Sequence, residues 1–130
     1  YHLCRSYSHQ IPSASLTGSQ RDLQRVTHVM NWVKVHYPEP LSLETAADSL
    51  ALSKEYFCRL FKKYTGQTFL EYLNDVRTMH LYEDLQNSDE TITVLMEKNG
   101  LSNYKIFMRT FKKLYGSTPQ KMRSNRIRHI

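Results

Sequence analysis

The chain has 130 residues, of which 40% are hydrophobic, and its formal net charge is +6. This composition allows one modest domain or two very small ones and argues against disorder throughout. The two cysteines have no His or Cys at metal-ligand spacing, and no apolar run approaches membrane-spanning length, so a zinc site, a disulfide framework and a membrane contact are not expected. A cytoplasmic location is the natural expectation.

The N-terminal segment predicts a linker or the remnant of an upstream domain, because residues 1–18 show no helical or strand period. The domain proper is expected over residues 19–130. A first helix is predicted from Ser19, and it stops at Pro38 and Pro40 because proline cannot continue the helical hydrogen-bond ladder. Its predicted inward stripe consists of Leu23, Val26, Met30, Val33 and Tyr37.

Two further helices are predicted within residues 42–66, with Ser42 and Ser53 as their N-caps. Gly66 is expected to end the second of them in a left-handed conformation. The inward side chains are predicted to be Leu43, Ala46, Ala47 and Leu50 in the first helix and Phe57, Leu60, Phe61 and Tyr64 in the second.

A longer connecting helix is predicted over residues 68–87, since Thr68 and Glu71 have the spacing of a capping box. The short-helix and long-helix pattern then recurs over residues 91–116. Ser102 or Asn103 is expected to cap the second helix of this pair.

A last short helix and a basic tail are expected over residues 118–130, with proline at the first helical position. No segment alternates convincingly at period two. The predicted fold is therefore all-α, with about seven helices arranged as two helix-turn-helix subdomains joined by a long connecting helix.

Two segments fifty residues apart repeat one another. SKEYFCRLFKKYTGQT (53–68) and NYKIFMRTFKKLYGST (103–118) share Phe, Arg, Phe, Lys, Lys, Gly and Thr in register. Residues 101–130 also carry eight Lys or Arg and no Asp or Glu, which indicates a localised anionic partner. In a helix-turn-helix unit the second helix enters the DNA major groove, and successive grooves lie about 34 Å apart. The duplicated unit therefore predicts a protein that contacts double-stranded DNA at two points.

Two stretches, Leu41 to Arg77 and Gly100 to Arg123, resemble the DNA-binding domain of AraC/XylS-type bacterial transcription regulators. The most specific part is the FxRxFKKxxGxTPxxxR spacing of the second stretch. The resemblance covers roughly residues 20–124. It implies sequence-specific DNA binding by a transcription regulator, an activator, with RNA polymerase as a further partner and a sensing or dimerisation domain upstream of Tyr1.

The resemblance also implies where DNA is contacted. The expected base-contacting residues are Glu55, Cys58, Arg59, Tyr104, Lys105, Met108 and Arg109. Arg59 and Arg109 can each bind a guanine or clamp a phosphate, while Tyr104 and Met108 can either meet thymine methyls or merely cover the helix flank. The expected phosphate-contacting residues are Ser53, Lys54, Lys62, Lys63, Lys112, Lys113, Lys121 and Arg123.

Some positions depart from the family pattern. Met96 and Leu101 stand where Ala and Phe are usual, and Leu81 and Asp84 stand where Ala and Leu are usual. These are packing positions, and they leave room for an alternative: a protein-interaction module that docks on RNA polymerase or another regulator with weak DNA contact. Arg77 is expected to fix the connecting helix through a salt bridge.

An enzyme is not expected. The sequence shows no nucleophile–base pair, carboxylate pair, phosphate-binding loop or metal set. We therefore expect neither catalytic residues nor a cofactor within this span.

Overall fold

The computed structural model describes residues 17–128 and places them in seven α-helices without a strand. The helices are α1 (Gly18–His36), α2 (Leu43–Ser49), α3 (Lys54–Thr65), α4 (Phe69–Asn87), α5 (Ile92–Lys98), α6 (Tyr104–Tyr115) and α7 (Pro119–Arg128). This confirms the all-α prediction. Residues 1–16 of the predicted linker lie outside the described residues. None of the seven helices combines the length and the apolar character needed to cross a membrane.

The start of α1 differs from the prediction. The N-cap is Thr17 rather than Ser19: its hydroxyl accepts from the Gln20 amide at 3.1 Å, and the Gln20 side-chain oxygen accepts from the Thr17 amide at 2.8 Å. This reciprocal pair satisfies two amide groups at the helix start, so α1 begins at Gly18, slightly before the predicted Ser19. The predicted stripe is also wrong at Leu23, which is 51% exposed, because the buried face follows Val26, Val29 and Val33.

The other helix starts follow the predicted caps. Ser42, Ser53, Thr91 and Asn103 each accept a hydrogen bond from the amide three residues ahead, which settles the choice between residues 102 and 103. Thr68 and Glu71 form the expected capping box. The caps matter for function because they determine where each helix of the two helix-turn-helix units begins.

The side chains form two hydrophobic cores. The first core combines α1, α2, α3 and the first half of α4, and the second combines the second half of α4 with α5 and α6. Accordingly, α4 buries Phe69, Tyr72, Leu73 and Val76 in the first core and Leu81 and Leu85 in the second. The connecting helix is therefore part of both units.

The two units also meet at Arg77 of α4. Its guanidinium donates to the carbonyl oxygens of Tyr37 and Glu39, each at 2.6 Å, in the segment between α1 and α2. The expected salt bridge is thus wrong: backbone carbonyls bind the cation. Gly100, between α5 and α6, packs against Arg77 and the segment between α1 and α2. A Cβ added at Gly100 would lie 3.0 Å from the Arg77 Nε and from the Tyr37 and Pro38 carbonyl oxygens.

The positions that depart from the pattern expected from the sequence resemblance lie in the second half of α4 and in the second unit. Leu81, Met96 and Leu101 are all buried in the second core. Asp84 accepts a hydrogen bond at 3.0 Å from the side-chain amide of Asn99, which is buried at the end of α5. A polar pair therefore joins α4 to α5 at a position where the sequence resemblance predicts a leucine.

Candidate nucleic-acid interface

The second helix of each helix-turn-helix unit has one buried face and one exposed basic face. α3 buries Phe57, Leu60 and Phe61, and α6 buries Phe107, Thr110 and Phe111 at the equivalent positions. The opposite face of α3 exposes Lys54, Glu55, Cys58, Arg59, Lys62 and Lys63, and that of α6 exposes Tyr104, Lys105, Arg109, Lys112 and Lys113. The predicted contact residues thus lie on two equivalent surfaces, each of which can face a polyanion.

Met108 is the exception among the predicted base-contacting residues. It is only half-exposed, and its side chain packs against the second core. Tyr104, by contrast, is 52% exposed, and its ring lies 6.4 Å from that of Phe107. Of the two alternatives left open by the sequence, Met108 therefore covers the flank of α6 in the free protein, while Tyr104 is available to a partner.

Several of the predicted phosphate-binding cations have partners within the chain. Lys54 binds the Glu44 carboxylate at 3.3 Å, and Lys113 binds that of Asp75 at 2.9 Å. Lys62 and Lys112 are the first lysines of the two equivalent pairs 62/63 and 112/113. Neither makes an ion pair with another residue in the described part of the chain. The lysines of the two helices are therefore not equally available to phosphate.

Three further predicted phosphate-contacting residues, Ser53 before α3 and Lys121 and Arg123 on α7, differ in their surroundings. Ser53 caps α3 by accepting from the Tyr56 amide at 3.2 Å, which leaves its hydroxyl hydrogen able to donate to a phosphate. Lys121 is exposed on α7. Arg123 is half-buried and donates to the Ser88 carbonyl oxygen at 3.0 Å, while its buried Nε has no partner in the protein. This contact ties α7 to the loop after α4 and competes with the predicted phosphate contact.

The first turns of α4 lie between the two basic helices. Asp75 accepts from Lys113 and also, at 2.7 Å, from the side-chain amide of Gln67 in the loop after α3. The Thr68 amide donates to Glu71 and lowers the pKa of that carboxyl, and the charges of Lys62 on α3 and Lys113 on α6 lower it further. Through Asp75, this part of α4 contacts both the loop that follows α3 and the basic end of α6.

A cleft of about 160 Å³ lies between the exposed edges of α4 and α6. Glu71 and Asp75 contribute to one wall and Arg109 and Lys113 to the other. Arg109 is thus exposed at the edge of a cleft whose other wall carries two carboxylates. Arg59, at the equivalent position of α3, lies instead 5.9 Å from the centroid of the Tyr56 ring. The two equivalent arginines therefore have different surroundings.

Three residues of this surface were not predicted from the sequence. They are Asp75, Asp22 and Tyr56. Asp75 accepts a hydrogen bond from Lys113, 38 residues away, and Asp22 of α1 accepts one from the Tyr56 hydroxyl, 34 residues away. No local pattern marks such pairs, since they arise only when helices pack. Within residues 17–128 no group of His, Cys, Asp and Glu side chains is arranged to hold a metal ion.

A family model described as a helix-turn-helix domain matches residues 46–125. The transcriptional activator RhaS of Escherichia fergusonii is 31% identical over 111 residues, which are 85% of this chain and 40% of RhaS. An uncharacterised helix-turn-helix-type transcriptional regulator of Staphylococcus aureus is 33% identical over 102 residues, which are 78% of this chain and 14% of that protein. The chain therefore spans only 14% and 40% of the length of these two curated relatives.

Two solved structures are similar over most of the chain. An AraC-type DNA-binding-domain regulator from Chromobacterium violaceum has a TM-score of 0.66 and 28% identity, with 84% of this chain and 95% of that chain covered. The DNA-binding domain of AdpA, a global transcriptional factor whose structure was solved with a target DNA, has a TM-score of 0.69 and 25% identity, with 78% and 91% covered.

Proposed function

Because the chain belongs to the AraC-type helix-turn-helix family of DNA-binding transcription regulators, we propose that it recognises one specific duplex DNA site with α3 and α6 in successive major grooves. This family is one of DNA-binding domains and not of enzymes. The observation that carries the proposal is the equivalent placement of Arg59 and Arg109 on two exposed basic helix faces. An arginine on a helix in the major groove can bind guanine through two hydrogen bonds.

The two helices have different roles in this proposal. On α3, the exposed residues Glu55, Cys58 and Arg59 lie on one face of the helix and can contact base edges in the major groove. Glu55 can accept a hydrogen bond from a cytosine amino group. On α6, Arg109 reads bases with Tyr104 and Lys105, and Met108 makes apolar contact if the groove reaches the helix flank.

Phosphate contacts supply most of the affinity. Lys62, Lys63 and Lys112 are exposed at the ends of the two helices and can reach the backbone on either side of a groove. Ser53, Lys54, Lys113, Lys121 and Arg123 complete the proposed set. Of these, Lys54, Lys113 and Arg123 must exchange a contact within the protein for the phosphate.

The proposed wider role is activation of transcription. RhaS, which is similar over 85% of this chain, is a transcriptional activator. An activator requires a surface that reaches RNA polymerase. The chain spans only part of its relatives, so the sensing or dimerisation function is proposed to reside in further sequence of the full-length protein.

Selection from a pool of randomised duplex DNA tests the proposal directly. The chain is expected to enrich one asymmetric sequence that covers about two turns of duplex, and to retain it in a gel shift at about 150 mM salt against excess scrambled duplex. If no sequence is enriched and all binding disappears as salt rises, the proposal fails. That outcome favours the protein-interaction module, for which the altered packing positions of the second unit are the motivating observation.

A further inference from the structure

Tyr56 connects the outer surface of α3 to α1. Its hydroxyl donates to both carboxylate oxygens of Asp22, each at 3.2 Å, and Asp22 is held in turn by Arg25 at 3.0 Å. The Asp22 side chain is only 18% exposed. A tyrosine held at its hydroxyl by a half-sheltered carboxylate has little freedom to rotate, so the ring orientation is determined by α1.

The face of this ring lies beside Arg59. The guanidinium carbon is 5.9 Å from the ring centroid, at the outer limit for a cation–π contact. Donation of the hydroxyl hydrogen to a carboxylate polarises the phenol toward its anion and makes the ring face more negative, which strengthens its attraction for a cation. The chain from Asp22 through Tyr56 thus restricts the directions in which Arg59 points.

The second helix-turn-helix unit lacks this arrangement. Ile106 stands at the position equivalent to Tyr56 and is exposed beside the cleft that Arg109 also lines. Ile106 offers neither an aromatic face nor a hydroxyl. Arg109 on α6 can therefore be compared with Arg59 on α3: the arginine is the same, but no tyrosine ring restrains it.

We propose that Tyr56 is a positioning residue for Arg59, held in place by Asp22, and that it increases the base discrimination of α3. The inference rests on the proposed function and adds a specificity-determining residue outside the expected contact set. Neither Tyr56 nor Asp22 contacts DNA in this scheme. Their effect is to hold Arg59 in the geometry that bidentate binding to one base pair requires, which reduces the ordering that binding must impose.

The consequence is a selective loss. Tyr56→Phe keeps the ring in the core contacts but removes the bond to Asp22. It is expected to lower the affinity ratio between the selected duplex and a duplex altered in the base pairs of the first half by up to about threefold, because the ring stays beside Arg59 but is no longer fixed by Asp22, and a whole exposed cation–π contact is worth about that factor. Affinity for scrambled DNA should be unchanged, because no phosphate contact is lost.

Tyr64 provides a matched control on the same helix. Its hydroxyl also donates to α1, to the Ser19 carbonyl oxygen at 3.4 Å, and its ring lies 5.4 Å from the ammonium group of Lys63. Tyr64→Phe therefore removes a similar bond between the same two helices without touching Arg59. It should leave the affinity ratio unchanged.

The test measures that ratio for the wild type, Tyr56→Phe, Asp22→Ala, Tyr64→Phe and Arg59→Ala, and for Tyr56→Phe combined with Arg59→Ala. The inference is supported if the ratio falls in Tyr56→Phe and in Asp22→Ala but not in Tyr64→Phe. It also requires that adding Tyr56→Phe to Arg59→Ala lowers the ratio no further. The inference is overturned if Tyr56→Phe behaves as Tyr64→Phe does, or if its effect persists without Arg59. A wild type that enriches no sequence overturns the proposed function and this inference together.

Discussion

Lys113 of α6 donates to the Asp75 carboxylate of α4 at 2.9 Å, so one of the lysines expected to bind phosphate is already neutralised in the free protein. The same carboxylate accepts from Gln67, which follows α3. Asp75 thus joins both helix-turn-helix units, and DNA must compete with it for Lys113. The pair is partly exposed, with 53% of the lysine side chain open to solvent, so its energy is small and DNA can displace it.

Lys112 and Lys113 are therefore expected to differ in their salt dependence. Lys112→Ala should reduce the slope of log affinity against log salt by about 0.9, the amount for one phosphate contact. Lys113→Ala should reduce it by less, because its cation retains Asp75 for part of the time. Titrations of the selected duplex from low to high salt measure both slopes. Equal reductions would show that Lys113 leaves Asp75 completely on DNA.

The two arginines should control base preference. Arg59→Ala and Arg109→Ala are each expected to weaken binding of the selected duplex by about 1–3 kcal/mol and to relax the preference at one base pair. Lys112→Ala serves as the control, since it should weaken all sequences alike. The measurement is a repeated selection with each variant. An unchanged base preference in the Arg59 or Arg109 variant would remove that residue from the readout.

Gly100 and Gly116 form a matched pair for stability. Both have left-handed backbones, with φ +80 and +73, so alanine at either position should cost about 1–2 kcal/mol in free energy of unfolding. A Cβ at Gly116 meets no other atom within 4 Å, whereas at Gly100 it meets two backbone carbonyl oxygens and the Arg77 Nε at 3.0 Å. Gly100→Ala should therefore cost about 1–3 kcal/mol more, as over-packing does.

Urea unfolding of the two glycine variants measures this difference. Carbonyl oxygens of Tyr37 and Pro38 cannot rotate away as a side chain can, so relief requires movement of the segment between α1 and α2. Gly100→Ala should also lower DNA affinity, since the same contact sets one unit against the other. Equal unfolding free energies for Gly100→Ala and Gly116→Ala would contradict the close approach.

Glu71 should make stability depend on pH. Its pKa is lowered from the ordinary value of 4.5, chiefly because the Thr68 amide donates to the carboxylate. A group with a lowered folded pKa stabilises the fold fully above the unfolded value and loses that contribution as pH falls through the folded value. Glu71→Gln keeps an acceptor for the capping box without the charge.

The stability difference between wild type and Glu71→Gln should therefore be largest near pH 7 and should shrink below about pH 4.5. Thermal unfolding at pH 7 and pH 3 gives this difference. Thr68 is unchanged in both proteins, so its own cap does not enter the comparison. A difference that stays constant between the two pH values would rule out the charge of Glu71 as its source.

Local sequence pattern was sufficient for the helices and for most of the proposed interface. Caps act over three residues and apolar periodicity over one or two turns, so Ser53, Gly66 and the Thr68–Glu71 pair were identified correctly without tertiary information. The fifty-residue repeat then placed Arg59 and Arg109 on equivalent exposed faces. The error at Leu23 arose because the direction of the buried face of α1 depends on how the helix packs.

The partners of the exposed charges depended on helix packing. Asp75 meets Lys113, Arg77 meets the Tyr37 carbonyl, and Tyr56 meets Asp22 across separations of 34 to 40 residues. Residues so far apart come together only when helices pack, and side-chain type alone does not indicate which neighbour a charge will find. The repeated sequence therefore specified two similar basic helices, while the packing around α4 gave their arginines and lysines different surroundings.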